Sequence, residues 1–206
     1  MKFAYFDIGG VLIKDFSGTS SWDLLTEEWG IIKKEDKKKI DIMFHNFAKE
    51  ADSGRSVEDF LLLAEKNFEI KFPKNYSINK DFVDRFCKNE GIGEIINNIK
   101  NKYQLGLLTN MYPEMLDLIR KNNLIPNIGW IVVDSSIEKC RKPDKKIYEI
   151  AEKKLGFKGK DILFVDNRIE NLEIPKKMGW QTYWFDSSDY EKSNQKLKLF
   201  FDYDKL

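Results

Sequence analysis

Apolar residues between Asp15 and Glu90 recur every three or four positions, the spacing that places them on one face of a helix. The clearest of these stripes contains Ile40, Met43, Phe44, Phe47 and Ala51. A further helix is predicted to begin at Ser56, because Ser56 and Asp59 have the spacing of a capping box. The alternation typical of strands does not occur here, so residues 15–90 are predicted to form a small helical module.

Short apolar runs alternate with helical stripes over the rest of the chain. These runs predict strands at residues 3–6, 104–109, 130–133, 162–165 and 181–185. Strands that alternate with helices are typical of an α/β fold, in which helices cover both faces of a parallel sheet and the crossovers are right-handed. We therefore expect one parallel sheet, with the helical module inserted after its first strand.

Proline and glycine mark the ends of several predicted helices. Pro113 and Pro143 are each predicted to open a helix, and Gly156 is predicted to close the second one in a left-handed conformation. Pro175 is expected to delay or kink the helix of residues 170–178, because it lacks a backbone donor. Residues 190–206 are expected to form a terminal helix.

Composition narrows the class of protein. A chain of 206 residues has the size of one domain, or of one domain with a smaller insertion. Its 35 basic residues nearly balance its 34 acidic ones, so neither nucleic acid nor a membrane surface is favoured as a partner. Cys87 and Cys140 are too few for a disulfide framework and suit a reducing compartment. Without a secretory signal or an apolar run of membrane-spanning length, we expect a soluble, cytoplasmic protein.

Polar residues stand where buried elements of the predicted sheet end. Asp7, Thr109 and Asp166 each end a predicted strand, and Lys142 stands just before a predicted helix. Because parallel strands open on the same edge, these side chains can converge. Two carboxylates can hold Mg²⁺, a hydroxyl and an ammonium can cradle a phosphate, and a carboxylate can attack phosphorus as a nucleophile. Taken singly, each has an ordinary structural role as an alternative, in a turn, a helix cap or the solvent-exposed surface.

Four sequence segments, taken in their order along the chain, resemble the motifs of a known family. They are FDIGGVL around Asp7, LLTN ending at Asn110, CRKPD around Lys142, and FVDNRIEN around Asp166. Together they resemble the four motifs of the haloacid dehalogenase-like hydrolase superfamily, and the resemblance covers nearly the whole chain. It implies a Rossmann-like three-layer core of residues 1–14 and 91–206. It also implies that residues 15–90 form a small helical cap, which closes over the site and selects the substrate.

The resemblance implies a role for each motif residue. Asp7 would be the nucleophile that forms an aspartyl-phosphate. Mg²⁺ would be held by Asp7, by the carbonyl of Gly9 and by Asp166. The implied activity is that of a Mg²⁺-dependent phosphomonoesterase acting on a small phosphorylated metabolite, as a monomer or a homodimer.

The same resemblance assigns the phosphate-binding groups. Thr109 and Asn110 would hold the transferring phosphoryl group, and Lys142 would neutralise charge between the nucleophile and the phosphate. Arg141 could reach the phosphate or position the loop, and both alternatives stay open. His45, the single histidine, is expected to pack on the surface or within the cap.

Two positions depart from the family pattern. Most phosphatases of the superfamily have a second Asp where this chain has Gly9, and that Asp protonates the leaving oxygen and then activates water. The chain could resemble a branch that has Gly here and is still phosphatase-active, or a 2-haloacid dehalogenase, whose halide leaving group needs no proton. It could also be a catalytically impaired protein that binds phosphate for regulation. Asp15 is a candidate substitute for the missing acid.

Asn167 is the second departure. An acidic residue frequently follows the position of Asp166 in the family and supports the water shell of the metal. Asn167 keeps the hydrogen bonding but removes a charge, so weaker Mg²⁺ affinity is expected. Glu170 is one helical turn further on and could compensate, although an exposed surface Glu is the simpler interpretation.

Overall fold

A five-stranded parallel sheet lies at the centre of the computed structural model, which describes residues 2–203. The described strands are β1 (Lys2–Phe6), β2 (Ile13–Lys14), β3 (Cys87–Lys88), β4 (Tyr103–Thr109), β5 (Ile131–Asp134), β6 (Ile162–Asp166) and β7 (Gln181–Trp184). The order across the sheet is β5-β4-β1-β6-β7, with all neighbouring strands parallel. This arrangement confirms the predicted α/β fold with a parallel sheet.

Helices connect these strands and cover both faces of the sheet. They are α1 (Ser21–Glu28), α2 (Lys34–Ala51), α3 (Asp59–Asn67), α4 (Ile78–Asp84), α5 (Ile92–Ile99), α6 (Met115–Lys121), α7 (Ser135–Glu138), α8 (Lys145–Leu155), α9 (Ile169–Lys177) and α10 (Tyr190–Tyr203). Alternate residues of β1 belong to two different cores: Ala4 and Phe6 face one, Phe3 and Tyr5 the other. Burial on both faces explains why β1 is a continuous apolar run.

The strand register brings the carboxyl ends of three strands to one edge. Phe6 at the end of β1 pairs with Leu107 of β4 on one side and with Val165 of β6 on the other. Asp7, which follows β1, therefore lies between Thr109 and Asp166 at the same edge of the sheet. Ligands bind at this edge in open parallel sheets.

The helical segment α1–α4 enters and leaves the sheet through a two-stranded antiparallel ribbon. Ile13 of β2 pairs with Lys88 of β3, and Lys14 pairs with Cys87. Strand β3 lies within residues 15–90, where no strand alternation is visible in the sequence, because a two-residue ladder requires no alternation of apolar residues. The division of the chain into core and cap at residues 14 and 91 stays a prediction.

Aromatic rings fill the interior of the helical segment. Trp22 stacks on Phe44 with ring centroids 4.4 Å apart, and Phe44 meets Phe60 and Phe82 edge-on at 4.9 and 5.6 Å. The stripe predicted on α2 is thus the face that packs inward. None of the helices in residues 2–203 has both the length and the apolar character that a bilayer crossing requires.

Helix starts were the least accurate of the sequence predictions. Helix α3 begins at Asp59 instead of Ser56, because the Ser56 hydroxyl accepts a hydrogen bond from Glu58 N at 3.3 Å in a turn before the helix. Glu58 itself caps α4, where its carboxylate accepts hydrogen bonds from the backbone N–H groups of Ile78 and Asn79 at 3.0 and 3.2 Å. The predicted capping box is therefore wrong.

The two helices predicted to open at proline begin two residues later. Helix α6 begins at Met115, because Glu114 has φ +68° and this left-handed residue separates Pro113 from the helix. Helix α8 begins at Lys145, after Pro143 and the cap residue Asp144. Gly156 closes α8 with φ +71°, as predicted. Residues 204–206 of the predicted terminal helix lie outside the described residues.

Pro175 lies inside α9, which begins at Ile169 and shows no delayed start. A proline removes the N–H that would bond to the carbonyl four residues earlier, here that of Asn171. The hydroxyl of Tyr148 donates to this carbonyl at 2.8 Å and so replaces the missing donor. Helix α9 can therefore continue through the proline.

Candidate active site

A cavity of about 440 Å³ opens at the carboxyl edge of the sheet. The sheet side contributes Asp7, Gly9, Asn110 and Lys142 to its lining. Residues 15–90 contribute both apolar and polar side chains to the rest of the lining: Phe16, Phe44, Ala48, Phe82 and Phe86, together with Asp15, Ser17, His45, Lys49 and Asp52. The cavity thus has a polar floor, and the helical segment adds a cluster of aromatic rings as well as charged side chains to its lining.

Lys142 joins the two acidic residues at the floor of this cavity. Its Nζ lies 2.7 Å from Oδ2 of Asp166 and 3.0 Å from Oδ2 of Asp7. The side chain of Lys142 is 1% exposed, and burial of this charge requires such partners. Asn110 fixes the backbone of Lys142 from both sides, since its Oδ1 accepts from Lys142 N at 2.8 Å and its Nδ2 donates to Lys142 O at 3.0 Å.

Asp7 presents its carboxylate to the cavity from the end of β1. Its backbone N–H donates to Val165 O at 2.9 Å, which continues the ladder with β6. Its Oδ1 accepts a hydrogen bond from Ile8 N at 2.8 Å. Asp7 is therefore held in one orientation and still borders the cavity.

Asp166 ends β6, the strand beside β1, and is fully buried. Its Oδ1 accepts from Arg168 N at 2.7 Å, and both of its oxygens accept from Nδ2 of Asn171, at 3.2 and 3.0 Å. Burial raises the pKa of Asp166 to about 6, the Lys142 ammonium opposes this rise, and the charge of Asp7 adds to it. The sequence alone does not predict that Asn171 belongs to the site. The feature that could have indicated it is a polar residue on the otherwise apolar, buried face of α9.

Thr109 is placed differently from the other predicted site residues. It is fully buried at the end of β4, and its hydroxyl lies 3.4 Å from the carbonyl of Asn110. It is near the floor of the cavity but does not form part of the lining. The side chain of Asn110 borders the cavity while bonded to Lys142, so its amide positions the lysine.

Arg141 pairs with the helical segment. Its Nε lies 3.0 Å from Oδ2 of Asp52, the residue that follows α2, although the N–H is not aligned with that oxygen for a hydrogen bond. Burial raises the pKa of Asp52, and the charges of Arg141, Arg168 and Lys142 oppose the rise. Asp52 was not identified from the sequence. Arg141 also borders the cavity, so both alternatives for it, contact with the phosphate and positioning of the loop, stay open.

The remaining candidates lie around the cavity. His45 is exposed on α2 and borders the cavity. Glu170 is exposed at the rim, with its Oε1 3.9 Å from Arg168 Nη1. Asn167 packs over Gly10, which has φ +73° and where a Cβ would overlap the Asn167 amide group. Gly10 is therefore required both by its backbone conformation and by this close approach.

The oxygen donors on the floor suit a hard divalent cation. Asp7 and Asp166 both face Lys142 Nζ, so two carboxylates surround one ammonium and leave a negative charge on the group. No group of three or more acidic, histidine or cysteine side chains that could hold a metal occurs within residues 2–203. Mg²⁺ is usually bound by one or two carboxylates together with waters and phosphate oxygens, which this donor set fits.

Comparisons with known proteins point to one family. The family model for haloacid dehalogenase-like hydrolases matches residues 1–179. A comparison with curated protein sequences found no match. The family model covers the strands that carry Asp7, Thr109 and Asp166.

Solved structures of the same family have the same fold. A HAD family enzyme from Bacteroides thetaiotaomicron is 17% identical, with a TM-score of 0.76, over 92% of this chain and 95% of that one. The wild-type form of that enzyme has also been solved with magnesium and inorganic phosphate. A HAD-like family hydrolase from Porphyromonas gingivalis is 21% identical, with a TM-score of 0.73, over 92% and 93% of the chains. An L-2-haloacid dehalogenase is 16% identical, with a TM-score of 0.64, over 89% and 83%. Because the family model matches residues 1–179 of 206, the chain belongs to the haloacid dehalogenase-like hydrolases.

Proposed function

We propose that this protein is a Mg²⁺-dependent phosphomonoesterase that forms an aspartyl-phosphate at Asp7. The observation that carries this proposal is the floor of the cavity, where Asp7 Oδ2 lies 3.0 Å from the buried ammonium of Lys142. A carboxylate held in one orientation at the floor of a cavity suits attack on a bound phosphorus atom. The adjacent ammonium opposes the negative charge that accumulates on the phosphoryl oxygens.

The other site residues have complementary roles in this proposal. Lys142 and Asn110 border the cavity and would hold the transferring phosphoryl group, whereas Thr109 lies behind the lining and would reach that group only after its hydroxyl turns toward the cavity. Asp7, the carbonyl of Gly9 and Asp166 would hold Mg²⁺, which when bound supplies positive charge against the phosphoryl oxygens. Asn171 and the backbone N–H of Arg168 orient Asp166 through the hydrogen bonds described above.

The substrate we propose is a small phosphorylated metabolite, and the enzyme acts on it in the cytoplasm as a monomer or homodimer. A cavity of about 440 Å³ has room for a small molecule. In this proposal residues 15–90 form a cap, because Phe16, Phe44 and Phe82 line the same cavity as Asp7. These side chains would contact the organic part of the substrate and select it.

A 2-haloacid dehalogenase is the second candidate. It is favoured by Gly9, since displacement of a halide needs no proton donor at this position. The pair of carboxylates around Lys142 favours the phosphatase, because dehalogenation requires no metal. The third candidate, a phosphate-binding protein without turnover, would use the same floor without the chemical step.

The test is phosphate release from a panel of sugar phosphates, nucleotides and an activated aryl phosphate, with Mg²⁺ and with EDTA. We expect release by the wild type with Mg²⁺ and a loss to background in Asp7→Asn, which keeps the shape of the side chain but removes its charge. Asp117→Asn is the matched control, because Asp117 is 83% exposed on α6. Equal rates for the wild type and Asp7→Asn would contradict the proposal. Halide release from a 2-haloacid without metal would favour the dehalogenase.

A further inference from the structure

The space beside Gly9 is occupied by a carboxylate from another part of the chain. A Cβ built on Gly9 would lie 3.3 Å from Cγ of Asp15 and still closer to Oδ2. The distance to Oδ2 matches the one between Cβ and a carboxylate oxygen within a single aspartate side chain. The carboxylate of Asp15 therefore occupies space that a side chain at position 9 would need. Asp15, Gly9 and Asp7 all line the same cavity.

A tight turn brings Asp15 to this place. The carbonyl of Ile8 accepts from the N–H groups of Leu12 and Ile13 at 2.9 and 3.1 Å, and Gly10 N donates to Ile13 O at 3.0 Å. Gly9 and Ile13 form a bridge across this turn. Strand β2 then runs directly into Asp15, so residues 9 and 15 are adjacent despite the chain between them.

The orientation of Asp15 is fixed by one of its two oxygens. Oδ1 accepts a hydrogen bond from Ser17 N at 2.9 Å, which leaves Oδ2 directed to the hollow at Gly9. A carboxylate with one oxygen anchored and the other facing the cavity is in a position to transfer a proton.

We propose that Asp15 is the general acid and base of this enzyme and replaces the acid that Gly9 cannot supply; this inference rests on the proposed phosphatase function. In the first step an oxygen of Asp7 bonds to phosphorus, the bond from phosphorus to the leaving oxygen breaks, and the Asp15 carboxylic acid gives its proton to that oxygen. The products are the free alcohol, the aspartyl-phosphate and an Asp15 carboxylate.

In the second step the same carboxylate acts as a base. It takes a proton from a water molecule whose oxygen bonds to phosphorus, and the bond from phosphorus to Asp7 breaks. Inorganic phosphate leaves, and the Asp7 carboxylate and the Asp15 carboxylic acid are restored. The chain thus has an acid for the first step and a base for the second without any group on residue 9.

Asp15→Asn separates this role from a purely structural one. The amide oxygen of Asn can still accept from Ser17 N, so the turn is kept while proton transfer is lost. We expect turnover to fall about 10²- to 10⁴-fold. With an activated aryl phosphate, whose leaving group needs no proton, we expect a burst of one equivalent of aryl alcohol, followed by slow turnover and a phosphoenzyme that mass spectrometry detects. With an alkyl phosphate we expect no burst.

Asp23→Asn is the matched control, since Asp23 is an exposed carboxylate at the start of α1 and lies outside the cavity lining. We expect wild-type kinetics from it. Wild-type turnover in Asp15→Asn, or a slow variant without a burst on the aryl phosphate, would overturn the role of Asp15 alone. No phosphate release by the wild type from any substrate would overturn both the proposed function and this inference.

Moving the carboxylate gives a second, independent test. Gly9 has no positive φ, so an Asp there is compatible with the backbone once the Asp15 side chain is shortened. We expect the double variant Gly9→Asp with Asp15→Ala to regain turnover at least tenfold over Asp15→Ala. The control Gly9→Ala with Asp15→Ala should regain none. Gly9→Asp alone should lose activity, because its side chain overlaps Asp15. Equal rates for the two double variants would overturn the inference.

Discussion

At the scale of the residue, the ammonium of Lys142 offsets the repulsion between the buried carboxylates of Asp7 and Asp166. Removing one member of a buried ion pair typically destabilises a protein by about 3–5 kcal/mol, because the remaining charge is uncompensated. We expect a loss of about this size in Lys142→Met at pH 8 in the presence of EDTA, measured by urea unfolding. Lys145→Met is the control, since Lys145 forms an exposed pair with Glu149 that contributes little to stability.

The loss in Lys142→Met should depend on pH. The pKa of Asp166 is already raised to about 6, and removal of the ammonium raises it further. The folded variant then binds a proton at pH values where the unfolded chain and the folded wild type do not. Its stability relative to the wild type should therefore increase as the pH falls from 8 to 5. A loss that is the same at both pH values would contradict the charge argument.

Residue-level prediction from sequence succeeded where a strand places the residue. Asp7 and Asp166 end apolar runs, and strand ends in a parallel sheet meet at one edge, so their proximity follows from the pattern. The approach of Asp15 to Gly9 depends on the turn between residues 8 and 13, and that of Asp52 to Arg141 on how α2 packs. No periodic pattern of apolar residues in the sequence indicates either of these two contacts.

At the scale of the element, helix α9 depends on a side chain of another helix. Burial, together with the charges of Asp166 and Asp7, raises the pKa of Tyr148, so its hydroxyl stays protonated and donates to the carbonyl of Asn171. We expect Tyr148→Phe to lose about 1–3 kcal/mol in urea unfolding, because a buried carbonyl next to Pro175 loses its donor. Since the side chain of Asn171 holds Asp166, the variant should also lower turnover.

A double-mutant cycle with Pro175→Ala isolates this effect. The alanine restores the backbone N–H that bonds to Asn171 O, so Tyr148→Phe should cost less in the Pro175→Ala background than in the wild type. Equal costs in the two backgrounds would show that Tyr148 contributes only through packing. The helix starts illustrate the same limit of prediction: Glu114 adopts a left-handed conformation and Glu58 caps a distant helix, and neither follows from local propensity.

At the scale of the whole molecule, the segment α1–α4 is joined to the rest at several points around the cavity. Besides the pair of Arg141 and Asp52, Asn79 Nδ2 donates to Pro113 O at 2.8 Å. The sequence predicted that a helical segment is inserted after β1, because the change in periodicity is clear. It did not predict the surfaces in contact, since these depend on single side chains and on one close approach of backbone at Gly54.

Gly54 lies where this segment meets α7, and it offers a test of closure over the site. It has φ +102°, and a Cβ there would overlap Lys139 Nζ and lie 2.6 Å from the carbonyl of Ser136. Gly18 has φ +70° and a Cβ there would meet nothing within 4 Å, so Gly18→Ala introduces left-handed backbone strain, about 1–2 kcal/mol, without any overlap. We expect Gly54→Ala to be less stable than Gly18→Ala and to exchange amide hydrogens faster at residues 52–55 and 135–139. We also expect kcat and KM to change together in Gly54→Ala and to stay at the wild-type values in Gly18→Ala. Similar kinetics and exchange in both variants would contradict a role for this contact in closing the segment over Asp7.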